Sequence, residues 1–465
     1  MKKILLIFLI TGVQSYSQCW NKILLGGEQS FASKTDNTFL VWGRNDFGEL
    51  GIGETGLRNS PTPQPININW QQYSIGFSYG LALKSDGTIW SWGNNETGQL
   101  GLGPTSNMLS PTQIGTQSDW VAISAKSYSS FAIKNDGTLW AWGQNSNRQL
   151  GISNLDQVYT PIQIGTANNW QKIYAGYGHT MAIRTDGSLW GWGAMNGNYG
   201  QVGTGTSAAT ITPTQIGNDT NWTDVSLGMH FTLALKSDGT LWAWGRNEYG
   251  QLGDGTTVNK SIPIQVGSDS DWVSISADLS FSIALKTNGT LWAWGQNTYG
   301  QLGNGTSTMF QGIVPNPVVT QIGTDDDWIS VSAGQLHVGA IKENGSLWMW
   351  GYNESACLGL GFTPTTIQTT KNPNPTELSC PQLSVNSNEI SLFTIYPNPT
   401  ENNLYIENTS NLEIDKILIT NVLNNSIFQT NSSTQPINVS KFATGVYFIH
   451  LYSKGRIFSK KFIVN

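Results

Sequence analysis

The chain has 465 residues, only 12% of them charged, and it is rich in Gly (52) and Trp (20). That length exceeds one ordinary core, and the composition excludes a disordered chain and a coiled coil. The formal net charge of −6 is uneven, because residues 19–390 carry 16 Lys+Arg against 26 Asp+Glu (net −10) and residues 391–465 carry 6 against 4 (net +2). Such an acidic main body argues against a protein that binds nucleic acid through its phosphates.

The N-terminus has the pattern of a signal peptide. Lys2 and Lys3 precede an apolar run at residues 4–10, and residues 15–18 form the short polar segment that precedes a cleavage site. The pattern predicts a Sec signal peptide over residues 1–18 and a mature protein outside the cytoplasm, with a lipoprotein signal at Cys19 as the weaker alternative. Because no segment reaches about 18 apolar residues, the chain is not expected to be an integral membrane protein.

A repeat of about 50 residues occupies most of the chain, and residues 236–253 are its clearest copy. All 20 Trp fall into three columns of seven copies, with Leu40 replacing one Trp of the second column. The columns are Trp20, Trp70, Trp120, Trp170, Trp222, Trp272 and Trp328; Trp90, Trp140, Trp190, Trp242, Trp292 and Trp348; and Trp42, Trp92, Trp142, Trp192, Trp244, Trp294 and Trp350.

The residue pattern of each copy predicts four strands. In the third copy, residues 120–124, 130–134, 139–143 and 161–165 have strand patterns, and Asp136-Gly137 marks the hairpin turn between the second and third. Seven such copies predict an all-β chain whose residues 19–380 form a seven-bladed β-propeller.

Two cysteines flank this repeat region. Cys19 precedes the first copy and Cys380 follows the last, so closure of the ring would bring their thiols together in an oxidising compartment. A Cys19–Cys380 disulfide and two free terminal thiols are both open readings of the sequence.

The repeated motif itself carries a resemblance to a known family. The pattern Asp-Gly-Thr-Leu-Trp-x-Trp-Gly-x-Asn-x-x-Gly-Gln-Leu-Gly at residues 238–253 resembles the bacterial form of the regulator-of-chromosome-condensation repeat. The resemblance covers residues 20–379 and implies the propeller fold. It does not imply the family's nuclear exchange-factor activity, because a signal peptide and an acidic body place this chain away from chromatin and small GTPases.

Composition changes again near the C-terminus. Residues 381–390 have the pattern of a linker, and residues 391–465 alternate apolar and turn residues, which predicts a small immunoglobulin-like β-sandwich. Tyr396-Pro397-Asn398-Pro399, followed by Gly445-x-Tyr447 and a last strand containing Lys461, resembles the C-terminal sorting domain of type IX secretion cargo. The resemblance implies export to the cell surface or beyond, with the type IX machinery as partner.

No catalytic, metal-binding or cofactor-binding constellation is expected from the sequence. His179 and His337 share a column with Gln, Tyr, Ser and Phe, which favours packing or hydrogen bonding over catalysis. The Lys or Arg two residues before each hairpin Asp is interpreted as a group that keeps the strand soluble, rather than as part of an anion-binding ring. Residues 325–327, all Asp, are interpreted as a polar turn rather than a calcium site.

The loops after Trp-Gly-x-Asn vary from copy to copy. If repeat geometry brings them to one rim, they form a ring of aromatic and acidic side chains, and Tyr suits binding surfaces. The equally weighted alternative is that the aromatic rings pack on the neighbouring Gly-Gln-Leu-Gly turn. The candidate binding rim is Asp46, Phe47, Glu96, Tyr199, Glu248, Tyr249, Tyr299 and Glu354, and residues 306–319 form a second candidate loop.

These features predict a monomeric, secreted or surface-attached, non-enzymatic protein whose rim recognises an extracellular protein or glycan. Resemblance supports this reading, since bacterial propellers of the class include secreted inhibitors that cap a β-lactamase with one face. One alternative is a polysaccharide-acting enzyme with paired carboxylates in the channel, although no copy shows unusual inward acids. The other is a structural surface or adhesion scaffold.

Overall fold

The structure is a computed structural model. It describes residues 20–36, 38–64, 70–153, 156–309, 311–361, 371–378, 393–407, 414–421, 426–431, 436–453 and 456–464. The predicted signal peptide, the linker 381–390 and the pair Cys19 and Cys380 lie outside the described residues and stay predictions. The chain divides into two compact units, Met1–Cys380 and Pro381–Asn465. Every regular element described is a β-strand, and the described residues contain no helix of the length and apolarity needed to cross a membrane.

The first unit contains 28 described strands in seven groups of four. They are β1 Trp20–Leu25, β2 Gln29–Lys34, β3 Phe39–Gly43 and β4 Arg58–Pro63; β5 Trp70–Ile75, β6 Tyr79–Lys84, β7 Ile89–Gly93 and β8 Met108–Gln113; β9 Trp120–Lys126, β10 Ser129–Lys134, β11 Leu139–Gln144 and β12 Gln157–Gln163; β13 Trp170–Ala175, β14 His179–Arg184, β15 Leu189–Gly193 and β16 Thr210–Gln215; β17 Trp222–Leu227, β18 Phe231–Lys236, β19 Leu241–Gly245 and β20 Lys260–Gln265; β21 Trp272–Asp278, β22 Phe281–Lys286, β23 Leu291–Gly295 and β24 Thr320–Gln321; β25 Trp328–Ala333, β26 His337–Lys342, β27 Leu347–Tyr352 and β28 Lys371–Leu378.

Each group is one antiparallel sheet whose strands pair in chain order, and we call the sheet a blade and its strands A to D. The A strands of all seven blades line one central channel, so every blade runs from strand A at the axis to strand D at the outside. This arrangement confirms the predicted seven-bladed propeller.

The core lies between blades, where the third Trp column is fully buried. In six of its seven members the indole Nε1 donates to a main-chain carbonyl of the preceding blade, as from Trp142 to Gln99 O at 3.0 Å. Trp244 Nε1 has no hydrogen-bond partner among the described residues. The glycine of the neighbouring Gly-Gln-Leu-Gly turn is required here. A Cβ on Gly101 would lie 2.8 Å from the Trp142 indole nitrogen, and its φ of +70° is left-handed.

The last blade closes onto the first through the same contacts that join the others. Trp42 Nε1 donates to Cys357 O at 2.8 Å, and the main-chain N of Leu25 donates to Ser332 Oγ at 3.0 Å. Seven repeats therefore make a closed ring without an exchange of strands between the terminal blades.

The Lys column corrects one interpretation made from the sequence. The hairpin Asp acts as expected: Asp238 Oδ1 accepts from Thr240 N at 3.1 Å and fixes the turn. The Lys does not serve solubility, because Lys236 is 8% exposed and its ammonium lies 4.6 and 3.8 Å from the ring centroids of Trp222 and Trp242. It also bonds Asp219 at 2.7 Å. Six of the seven cations of this column lie over Trp rings of their own blade, and four of them also pair with an Asp of the loop before strand A. The four that pair are Lys134, Lys236, Lys286 and Lys342.

Acidic residues of the loops before strand A bond the Lys of this column. Asp325 and Asp327 bond Lys342 at 2.7 and 2.9 Å. Two of the three Asp residues at 325–327 therefore serve to bind Lys342. Among the described residues there is no cluster of His, Cys, Asp or Glu suited to a metal ion.

The second unit consists of two small sheets. Its strands are β29 Thr394–Tyr396, β30 Asn403–Glu407, β31 Lys416–Asn421, β32 Ser426–Thr430, β33 Ile437–Asn438, β34 Gly445–Ser453 and β35 Arg456–Val464. Strands β29, β30 and β33 form one sheet, and the other has the order β32-β31-β34-β35. Leu404 and Ile406 of the first sheet share a buried cluster with Ile419 and Phe462 of the second. Two sheets around one core match the predicted small β domain.

Candidate binding face

Two sets of loops lie at the same end of the propeller. The turns that join strands A and B surround the channel, and the loops that join strands C and D lie farther out, because strand A is axial and strand D is peripheral. We call this end the AB/CD face. All eight residues of the predicted rim lie in its CD loops. The hairpins between B and C lie at the opposite end.

Two buried amide side chains shape the CD loop in four of the seven blades. In the fifth blade, Asn247 Oδ1 accepts from Leu252 N at 2.9 Å while its Nδ2 donates to Thr256 O at 3.0 Å. Gln251 Oε1 accepts from Tyr249 N at 2.9 Å. The Leu N and Gln bonds recur for Asn95 with Gln99, Asn145 with Gln149, and Asn297 with Gln301. Sequence reasoning missed these residues, although their recurrence between varying neighbours was a usable signal.

The rim aromatics are half-buried and pack on the next blade. Tyr199 lies 5.1 Å from the ring of His230 and 5.0 Å from the Arg246 guanidinium. Tyr299 makes an edge contact with Tyr352 at 5.0 Å. Packing and partial exposure thus coexist in the same side chains. In the second candidate loop, residues 311–319 reach the fifth blade, where Asn316 N donates to Tyr249 O at 3.0 Å.

The acidic members of the rim differ in their partners. Asp46 bonds Arg44 at 2.7 Å, and Glu248 bonds Arg246 at 2.5 Å. Glu96 and Glu354 are exposed and form no ion pair with Lys or Arg among the described residues. The Arg residues of the described CD loops that form ion pairs do so with carboxylates of the same face. The unpaired charges of Glu96 and Glu354 therefore make this part of the face negative.

The AB turns form an inner ring that sequence reasoning missed. Phe77, Tyr128, Leu279 and Leu336 are half-buried in these turns, and Met229 is 39% exposed. Phe77 and Tyr128 lie in adjacent blades with ring centroids 5.6 Å apart. We call these five side chains the hub. They are a second, more apolar part of the AB/CD face.

An ion pair crosses the channel directly at this end. Lys126 Nζ of the third blade bonds Asp278 Oδ2 of the sixth, and Tyr177 OH donates to Asp278 Oδ1 at 2.6 Å. Asp278 is fully buried, and the Lys126 side chain is 16% exposed. Burial, and then the Asp278 charge, raise the pKa of the Tyr177 hydroxyl well above its ordinary value. These groups close the AB end of the channel.

A signal for this pair was present in the sequence. The first residue of the AB turn is Gly in five copies, whereas the third carries Lys126 and the sixth Asp278. In these two blades strand A has seven residues instead of six, and the ladder continues to Lys126↔Ser129 and Asp278↔Phe281. The expectation that no copy has an unusual inward acid was therefore wrong for Asp278.

The part of the channel that the structure describes contains two acids, and both are bonded to other side chains. It holds a cavity of about 280 Å³ lined largely by small residues. Ser hydroxyls bridge neighbouring A strands, as where Ser74 Oγ accepts from Ala125 N at 2.7 Å. Asp224 accepts from Tyr174 OH at 2.8 Å, and Asp278 is neutralised by Lys126. Each of these two acids is engaged by another side chain.

Two histidines of one column form hydrogen bonds between neighbouring blades. His179 Nε2 lies 3.0 Å from Thr232 Oγ1 of the next blade, and His337 Nε2 lies 3.1 Å from Ser30 Oγ across the ring closure. Burial is the main cause that lowers the pKa of each imidazole to about 3. Both rings are therefore neutral at physiological pH and closed to solvent.

Glu49 stands where five other copies carry the loop-forming Gln. It is fully buried, its Oε2 accepts from Phe47 N at 2.8 Å, and its Oε1 has no hydrogen-bond partner among the described residues. Burial is the main cause that raises the pKa of this carboxyl. The folded protein therefore keeps the proton at pH values where the unfolded chain, with a Glu pKa of about 4.3, has lost it.

We expect Glu49→Gln to raise the free energy of unfolding at pH 7 by on the order of 1 kcal/mol. Stability of the parent falls as pH rises from about 4.3 through the raised pKa, and the variant escapes that loss. Urea midpoints at pH 4 and pH 7 measure the effect, with exposed Glu96→Gln as control. An equal gain at both pH values would contradict the assignment.

In the second unit, the structure brings the two ends of the sorting motif together. Asn398 Oδ1 accepts from Ile463 N at 2.9 Å, and its Nδ2 donates to Lys461 O at 3.2 Å. Tyr396 is half-exposed and stacks on Tyr405 at 5.4 Å, next to the exposed Pro397 and Pro399. Tyr447 is buried against Phe462 at 5.7 Å, and Gly445 pairs with Val464 at the end of the sheet.

Comparison with protein-family models gives two matches. The Regulator of chromosome condensation (RCC1) repeat matches residues 86–133, 136–183, 186–235, 238–285 and 288–341, and a second model of that repeat matches 71–99, 120–149, 170–201, 222–251 and 272–301. The Secretion system C-terminal sorting domain matches residues 394–465. No curated protein matches the chain.

Solved structures share the propeller fold. Yeast RCC1 (Prp20), solved with Kap60 bound, is 22% identical with a TM-score of 0.65, covering 82% of this chain and 87% of its own. Human WBSCR16 is 21% identical with a TM-score of 0.64, covering 74% and 95%. At this identity the likeness concerns fold alone, and the type IX route to the cell surface or beyond is carried by the sorting domain.

Proposed function

Because this chain belongs to the regulator of chromosome condensation (RCC1) repeat family and ends in a secretion sorting domain, we propose that it is a non-enzymatic binding protein of the cell surface or its surroundings. Its AB/CD face recognises an extracellular macromolecule. The observation that carries the proposal is the presence on one face of partly exposed aromatic side chains in both the CD loops and the AB turns, beside exposed carboxylates such as Glu96 and Glu354.

Preorganisation supports the proposal. The CD loops are held by buried Asn and Gln side chains, as at Asn247 and Gln251, so little conformational entropy is lost when a partner binds. Aromatic side chains such as Tyr249 and Tyr299 offer a large contact area with few rotatable bonds. A glycoside hydrolase would instead need two carboxylates free to act, whereas Asp224 and Asp278 are both bonded to other side chains.

The test is capture of extracellular proteins and glycans from the protein's native setting. We expect a partner to be retained by the parent and to be reduced roughly tenfold for Tyr249→Ala/Tyr299→Ala, a loss of about 1.4 kcal/mol. Val121→Ala/Val273→Ala is the matched control, because these residues are 50% and 49% exposed at the start of strand A, on the opposite end.

Two results would count against parts of this proposal. Equal retention by all three proteins would place recognition away from the AB/CD face. Absence of any retained partner, with all three folded, would contradict the binding proposal and favour a scaffold.

A further inference from the structure

The hub has the chemistry of a protein-docking surface. Phe77, Tyr128, Met229, Leu279 and Leu336 come from the AB turns of five different blades. Four of these side chains are half-buried and Met229 is 39% exposed, so each leaves part of its apolar surface accessible at the same end of the propeller. Accessible apolar surface gathered at one place is typical of contact sites. Met and aromatic side chains are also the residue types enriched in the buried centres of interfaces.

The hub is rigid and closed beneath. Main-chain bonds join neighbouring AB turns: Phe77 N donates to Ser127 O at 2.8 Å, and Met229 N donates to Leu279 O at 3.0 Å. The Lys126–Asp278 pair, with Tyr177, fills the end of the channel at this level. A ligand at the hub would therefore meet a Lys126–Asp278 pair whose charges already neutralise each other.

Negative charge surrounds this apolar centre. Glu96 and Glu354 are exposed in the outer CD loops, and neither forms an ion pair with Lys or Arg in the part of the chain that the structure describes. Arg44, Arg58 and Arg246 of the same face already bond carboxylates. The face thus combines an apolar centre with an acidic periphery.

We propose that the hub receives the apolar tip of a protein loop that is flanked by Lys or Arg residues. The apolar tip buries the hub, and the basic flanks meet Glu96 and Glu354. This proposal rests on the proposed function and specifies its partner class. Met229, Leu279 and Leu336 suit aliphatic or aromatic protein side chains better than a sugar ring, whose hydroxyls would need polar partners at the same place.

The probe is a library of disulfide-closed peptide loops, selected against the purified protein. We expect the selected loops to carry an aromatic or aliphatic tip next to Lys or Arg. Phe77→Ser/Met229→Ser should weaken the best loop at least roughly tenfold, since hot spots lie in the desolvated centre of an interface. Glu96→Gln/Glu354→Gln should weaken it a few-fold and remove most of its salt dependence.

Controls separate folding from binding. Val121→Ser/Val273→Ser, on the opposite end, should bind the loop as the parent does. If the double hub variant shows a lowered urea midpoint, Met229→Ser alone gives the test, because this side chain is 39% exposed and contributes little to the core.

The outcomes also distinguish this proposal from the proposed function. Loops that are acidic or lack an apolar tip, or a library that yields no binder, would overturn the hub proposal. So would binding that is lost in Tyr249→Ala/Tyr299→Ala yet unchanged in the hub variants, although the AB/CD face would then still be the binding face. Binding that only Val121→Ser/Val273→Ser removes would overturn both.

Discussion

Replacement of Asp278 by Asn is expected to lower the free energy of unfolding by roughly 3 kcal/mol. The change leaves the Lys126 ammonium at the closed end of the channel without its carboxylate, and removal of one partner strands a charge that water reaches poorly. Lys126→Met strands the fully buried Asp278 instead and should cost a similar amount. The measurement is the urea midpoint of each variant.

The double variant Lys126→Met/Asp278→Asn decides what the pair contributes. Because neither charge is then stranded, its cost should be well below the sum of the two single costs, and the shortfall is the coupling between the third and sixth blades. Small and additive costs would show that water screens the pair and that it does not close the channel. Lys260→Met, which removes a partner of Asp254 at 3.3 Å in a CD loop, is the peripheral control.

Much of the fold was predictable because its determinants are local and repeated. The Asp-Gly turn after strand B, the alternating strands and the three Trp columns recur at nearly constant spacing, so seven copies of one four-stranded unit follow from the sequence. The ring closure between Trp42 and Cys357 then needs no further signal, since it repeats the contact made at five of the other six blade junctions.

The Lys column was misread because a charged side chain beside a turn suggests exposure. Its burial depends on two Trp rings from strands A and C and on an Asp from the loop before strand A, which only the folded blade brings together. The Lys236 ammonium lies over both Trp rings and also bonds the Asp. Polarity alone therefore predicts the wrong environment for such a residue.

The hub and the channel pair were missed for a different reason. Their residues come from different copies and interrupt the repeat instead of following it, as Lys126 and Asp278 do in a Gly column. Such a departure from the repeat indicates a contact across the channel only once the strand that carries it is known to lie at the axis. The rim residues were proposed because the loops that carry them differ between copies, whereas the buried Asn and Gln that shape four of those loops were overlooked because they recur as part of the repeat.

The largest effect is expected in export: a chain ending at residue 390 should not appear outside the cell. The sorting domain at residues 394–465 is a separate compact unit with its own core, so its removal leaves the propeller's interblade contacts intact. Fractionation, with protease treatment of intact cells, measures location, and the urea midpoint of the retained protein checks that the propeller still folds.

Asn398→Ala sharpens this test within the full-length chain. Asn398 bonds the main chain of the last strand at both Ile463 and Lys461, so its loss should reduce export while the buried cluster around Phe462 keeps the domain folded. Ser440→Ala, at an exposed position of the same domain, is the matched control and should be exported as the parent is. Parent-level export of the truncated chain would mean that residues 1–390 carry their own route across the outer membrane, and the sorting role assigned to the second unit would then be wrong.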